Sequence, residues 1–252
     1  MSMSMLMPAL YLSAVVPNVT IDIPTRSLSY TAASSQNLFM SGANFGTLNS
    51  KKWTCHIWFK RSSTGATQYI VHKVNGAATI QPINILFSST DKIDIRIRDN
   101  AQTIIGRLVT TASYNDSNWH QMIVYWDTAN ATSADRLHLW VDGARVTSFT
   151  TNTQPSLSAD MYDTTAADVY IGSNGGVANY FNGLLYQQAF FDNALPAAAS
   201  LINGTSPVNV KGISGLYSLL HTNAADALED DYVLSTNWTN TNAVTKSTTV
   251  PA

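Results

Sequence analysis

Apolar and polar residues alternate with a period of two along most of residues 26–220, and a helical period appears only at Pro196 to Asn203. The cleanest run is Asp91 to Arg98. Ile93, Ile95 and Ile97 point one way there, and Lys92, Asp94, Arg96 and Arg98 the other, as on a sheet with one wet face. Burying each isoleucine stabilises by ~1.5–3 kcal/mol, so a one-residue slip of register is strongly disfavoured. The stretch Trp119 to Ala144 predicts the centre of the fold. His120 to Trp126 is apolar on both faces, as expected of a strand lying between two layers. Leu137, Leu139 and Val141 then alternate with His138 and Trp140, and Asp142-Gly143 supplies the positive φ of a type I′ turn into Arg145-Val146.

The same reading predicts a first hairpin at Leu28/Tyr30 and Leu38/Met40, turned by residues 34–37. Further strands are expected at Trp53 to Lys60, Tyr69 to Lys73, Ile80 to Phe87, Val169 to Gly172, Leu184 to Phe191 and Gly215 to Leu220, with Thr150 to Asp168 as a long polar loop. Residues 1–25 are Met-rich and broken by Pro8, Pro17 and Pro24, which favour extended backbone. They read as an N-terminal arm in which Met3, Met5, Leu6 and Met7 suit an uneven apolar groove, on this domain or on a neighbouring subunit. No Lys or Arg precedes Arg26, so the basic segment of a signal peptide is missing. The apolar run is also shorter than the ~20 residues of a membrane span. Residues 221–252 form a polar tail on or beside the sandwich, with Trp238 as its large anchor. The expectation is one domain, 26–220, with two appendages.

Three segments carry a family resemblance: KWTCHIWFKR at 52–61, the hairpin of 119–144, and the strand-Ile-Gly, loop, Phe-x-Gly, strand run of Val169 to Asp192. Together they resemble the laminin-G-like, concanavalin A-like jelly rolls. In detail the chain is most similar to those of tailed-bacteriophage virions, which share the Trp-Phe-Lys-Arg strand, the DTANATSADR loop at 127–136 and Thr-Ser-Phe at 147–149. The resemblance implies an all-β, two-sheet antiparallel jelly-roll sandwich. It further implies a non-enzymatic virion structural protein, decorating a capsid or associated with a tail or fibre, assembled in the host bacterial cytoplasm. Its partners would be other virion proteins, further copies of itself and host-surface polysaccharide. The alternative is a carbohydrate-binding module of a secreted or cell-surface protein. The fold hosts lectins, glycosidases and structural proteins alike, so function has to be argued from the site.

Composition narrows this further. Charged residues make up 12% of the chain, about half the usual ~25%, and sparse surface charge favours association. A net charge of -2 without a basic run argues against a nucleic-acid partner. Cys55 is alone, which rules out an intramolecular disulfide, and its period-two place between Trp53 and Ile57 predicts a small buried side chain. Glycoside hydrolysis needs two carboxylates across the scissile bond. The single Glu, Glu229, sits in a solvated Leu-Glu-Asp-Asp run, and Asp91, Asp94 and Asp99 stand among Lys and Arg as surface pairs. Five scattered His residues and no Gly-x-Ser-x-Gly elbow argue against nucleophilic catalysis, and His120 reads as structural. No enzyme is expected.

Two ligand chemistries have candidates. Asp160, Asp163 and Asp168 offer hard oxygens of the kind calcium takes. Many relatives bind calcium at the sandwich rim, but their ligands cannot be matched here residue by residue, so no metal or cofactor is assigned. For glycans, an aromatic platform flanked by amides is the chemistry to look for. One set is Asn174, Asn179, Tyr180 and Asn182, whose alternative reading is ordinary turn chemistry. The other is His138 with Trp140, whose alternative reading is core between sheets.

Overall fold

The computed structural model describes residues 24–75, 80–203, 206–220, 231–234 and 236–252. Met3, Met5, Leu6 and Met7 of the expected arm, and Glu229, lie outside them. The described residues form two antiparallel sheets of eight strands each, packed face to face as a jelly roll. The first sheet runs β10 (Ala144–Arg145), β9 (Leu137–Val141), β8 (Trp119–Asp127), β3 (Lys52–Arg61), β13 (Gly183–Asp192), β1 (Ser27–Tyr30) and β18 (Thr245–Ser247), and β16 (Leu216–Leu220) also pairs with β13. The second runs β11 (Phe149–Thr153), β7 (Ile104–Thr110), β6 (Ile93–Arg98), β5 (Ile83–Phe87), β4 (Gln68–Asn75), β12 (Ala167–Ile171), β2 (Asn37–Met40) and β17 (Thr239–Thr241). A small separate ribbon pairs β14 (Ile202–Asn203) with β15 (Ser206–Pro207).

Alternation explains the core. Ile93, Ile95 and Ile97 register with Phe87, Ile85 and Ile83 and are fully buried between the sheets. Met122, Val124 and Trp126 of β8 and Leu137, Leu139 and Val141 of β9 meet them from the first sheet. Trp53 and Trp126, cross-strand partners, stack at 6.4 Å. A β-carbon on Gly106 would lie 2.9 Å from the Trp126 ring, so this position of β7 needs glycine for the sheets to close.

The apolar outer face of β8 has its own cover. Ile123 and Tyr125 pack with Ala189, Phe191, Leu201, Val210 and Leu219 in a second cluster outside the first sheet. The segment after β13 folds back to form this layer, which is why both faces of β8 are apolar. The helical turn expected at Pro196 to Asn203 is a single 3-10 turn, Ala198–Ser200, leading into β14.

Some expectations need correcting. Thr150 to Asp168 is not all loop: Phe149–Thr153 pairs with β7 and Ala167–Ile171 with β4 and β2. Long-range pairing supplies hydrogen bonds that this polar stretch does not advertise. Asp91 precedes its strand, in a turn with φ 61. Its carboxylate meets Arg61 at 2.8 Å, and that guanidinium is only 1% exposed. It is therefore an interior pair, because the turn folds over the end of β3. Asp94 is likewise buried, between Arg96 and Arg107.

Candidate functional site

Cross-strand register places Ile123 beside Trp140 and Tyr125 beside His138 on the outside of the first sheet. The returning segment stops short of β9, the strand next to the two-residue edge strand β10. Between them a groove of about 720 Å³ remains, with Trp140, His138 and Tyr125 on one side and Leu195 to Ala199 on the other. Trp140 lies half-buried against the second cluster, so its ring is both core edge and groove wall. No described residue accepts a hydrogen bond from its indole N–H.

The His138 ring stacks on Tyr125 at 4.7 Å with an interplanar angle of 17°. Its Nδ1 lies 3.1 Å from the Asp135 carbonyl. A carbonyl only accepts, so Nδ1 carries the proton and Nε2 is left as an acceptor. Burial, then the charge of Arg145, lowers the His138 pKa and keeps the ring neutral at pH 7. Tyr125 donates its hydroxyl to the Pro196 carbonyl at 2.7 Å, tying the far wall to the sheet.

Among the described residues, Asp142 is the one carboxylate lining the groove. It sits in the expected turn, with φ 51 followed by Gly143 at φ 74. One of its oxygens accepts from the Gln121 N–H at 2.8 Å and the other meets His120 Nδ1 at 2.7 Å. His120 Nε2 lies 2.9 Å from Asp116. Burial would lower the His120 pKa, but hydrogen bonds to the two carboxylates outweigh it and the net shift is upward. Asp142 is thus committed to holding its turn, and among the described residues no second carboxylate lines the groove. The described lining offers an apolar ring and a neutral acceptor without an acid–base pair.

A laminin-G-type family model, described as the concanavalin A-like lectin/glucanases superfamily, matches residues 33–199. The chain belongs to that family. No curated protein sequence matches it significantly. Among solved structures, a Bacteroides ovatus protein provisionally described as carbohydrate-binding superposes with a TM-score of 0.61 at 13% identity, covering 91% of this chain and 61% of that one. A native heptameric SAP-like pentraxin from Limulus polyphemus gives 0.56 at 13% identity, covering 90% and 96%. The NanB sialidase from Streptococcus pneumoniae, as its K499G mutant, gives 0.54 at 13% identity, covering 75% of this chain and 28% of the enzyme. At such identities these likenesses establish the concanavalin A-like fold.

Within this laminin-G-like frame the other sequence candidates are distributed differently. Asn174, Asn179, Tyr180 and Asn182 lie on one loop, whose backbone is bonded to itself and to neighbouring segments. Asn174 bridges to Ala178, and Tyr180 donates its hydroxyl to the Gly176 carbonyl at 2.6 Å. The backbone carbonyl of Asn179 accepts from Tyr69 N–H, and the backbone carbonyl of Asn182 from Ser62 N–H. A small cavity beside them, about 260 Å³, is lined by Asn37, Phe39, Tyr170, Gly175, Gly176 and Thr241. The loop contributes its glycines there and not those four side chains. The two glycan sets do not share a site.

The three aspartates proposed for calcium do not converge. Asp160 accepts from Ser50 Oγ at 2.6 Å, Asp163 meets Lys73 Nζ at 2.6 Å, and Asp168 accepts from Gly42 N–H at 2.8 Å. Among the described residues no group of three His, Cys, Asp or Glu is placed to hold a metal ion. Sequence reasoning missed Tyr125 and the 195–199 wall, because nothing local says that this segment folds back beside β9. The alternation at His138 and Trp140 was the available signal.

Proposed function

We propose that this protein is a non-catalytic carbohydrate-binding module that seats the apolar face of a sugar on Trp140, with His138 Nε2 accepting from a hydroxyl. The observation that carries the reading is an open groove walled by an indole whose N–H has no partner among the described residues, next to a histidine held as a neutral acceptor. Sugar rings present C–H faces to aromatics and hydroxyls to acceptors, and this wall offers both. The lone, committed Asp142 supports binding without hydrolysis, since glycosidases need a carboxylate pair. The carbohydrate-binding description of the Bacteroides ovatus relative agrees with it.

The test is affinity electrophoresis of the full chain through gels carrying soluble neutral glucan, mannan, galactan or xylan. At least one should retard the protein, and Trp140→Ala should weaken that by tenfold or more, about 1.4 kcal/mol, with no reducing ends released. Retardation by none, or equal retardation of wild type and variant, sinks the reading. Display on a bacteriophage particle, as the sequence resemblance implies, would let many weak sites act together, raising avidity ~10²–10⁴-fold. None of the three relatives above is a virion protein, so that placement rests on the resemblance alone.

A further inference from the structure

The outside of the second sheet carries a different chemistry. Tyr69, Leu86, Asp94 and Val109 stand in register across β4 to β7, and His72, Asn84, Arg96 and Arg107 form the next row. By alternation these point away from the isoleucine core. A hollow of about 510 Å³ lies over them, lined among others by Tyr69, Lys92, Asp94, Arg96, Arg107 and Thr150.

Asp94 organises the floor. Arg96 reaches its Oδ2 through Nε at 3.1 Å and Nη2 at 2.6 Å. Arg107 reaches Oδ1 through Nε at 3.1 Å and Oδ2 through Nη2 at 2.8 Å. The carboxylate is 3% exposed, whereas the two guanidinium side chains are 28% and 33% exposed. Each arginine therefore spends two of its five N–H donors on the buried acid and keeps three, including all of Nη1, with no described protein acceptor. Lys92, Arg96 and Arg107 against Asp94 leave the hollow two charges positive, on a chain whose net charge is -2. Arg98, next along β6, is held by the Gln81 carbonyl at 3.2 Å.

Two guanidinium groups fixed side by side by one buried carboxylate form a preorganised fork for an oxyanion. Tyr69, 7% exposed, lies in the floor beside them. We infer that this hollow is a second binding site, for a saccharide bearing an anionic group, with that group held by Arg96 and Arg107. It does not rest on the Trp140 groove.

The experiment is affinity electrophoresis of the full chain in polygalacturonate, dextran sulfate and neutral dextran. The variants are Arg96→Gln, which removes one arm while Arg107 still pairs Asp94, and Ser89→Glu, which adds a negative charge at an exposed rim residue without touching the Asp94 cluster. Wild type should be retarded by one or both anionic polymers and not by dextran, less so as salt rises. Both variants should weaken retardation at least tenfold while melting within a few degrees of wild type. Which polymer is bound identifies the anionic group as carboxylate or sulfate. Retardation by neither, or equal binding by Ser89→Glu and wild type, overturns the inference. So does full displacement by millimolar inorganic phosphate, which would mark a simple anion site.

Discussion

Removing the carboxylate of Asp163 should be among the most damaging single changes to this fold. Lys73 points between the sheets, on the same face of β4 as Val71, and Lys73 and Asp163 are 2% and 1% exposed. Lys73 Nζ meets Asp163 Oδ2 at 2.6 Å and donates to the Gly46 carbonyl at 2.8 Å, over the Phe45 ring. The carboxylate also accepts from the N–H groups of Leu48 and Thr164, each at 2.9 Å. Burial pushes the Lys73 ammonium down and the Asp163 carboxyl up, and each is countered by the other's charge. Asp163→Ala leaves a buried, unpaired ammonium, a loss of about 3–5 kcal/mol. At about 2.1 cal/mol/K per residue, 252 residues give an unfolding entropy of about 0.53 kcal/mol/K, so Tm should fall by about 6–9 °C. The double variant Lys73→Met/Asp163→Ala removes the stranded charge and should recover part of that loss, and calorimetry of wild type, Asp163→Ala, Lys73→Met and the double variant measures the coupling. An Asp163→Ala loss under 1 kcal/mol, or a double variant no better than the single one, would refute the reasoning. So would calcium raising the Tm of wild type but not of Asp163→Ala, because the carboxylate would then be a metal ligand.

Two further outcomes can be checked by unfolding experiments. His56 is buried with neither ring nitrogen partnered, and burial lowers its pKa to about 3; at His72 burial, with help from the charge of Arg98, lowers it to about 4. Each binds its proton more readily unfolded, so stability present above about pH 6.5 is lost as pH falls towards those values, by about 2 kcal/mol per group at pH 5. Urea midpoints flat from pH 7 to 4 would contradict this. Asp231 accepts from Ser218 Oγ, Trp238 Nε1 and the N–H groups of Val233 and Leu234 at 2.5–3.1 Å. Asp231→Ala should therefore cost at least ~3 kcal/mol and expose residues 236–252 to limited proteolysis; an unchanged digestion pattern would count against it.

Features that depend on neighbours along the chain could be read from the residues alone. Period-two alternation sent Ile93, Ile95 and Ile97 inward, Asp142-Gly143 closed a tight turn, and the two apolar faces of His120 to Trp126 required two covers. Family-specific segments pointed to the two-sheet sandwich, which the family model matches over residues 33–199, but not to its last strands: Thr239–Thr241 and Thr245–Ser247, expected as an appended tail, each join one of the two sheets. Roles that depend on partners far along the chain emerged only with the fold. Asp163 looked like a calcium oxygen until Lys73, 90 residues away, took it. Asp94 looked like a surface charge until β7 brought Arg107 beside Arg96. Trp140 became a groove wall only because the segment after β13 folded back opposite it. A charge or a ring takes its role from what it faces, and in a jelly roll most facing residues arrive through long connections. Alternation shows which way a side chain points; only the closed sheets show what it meets there.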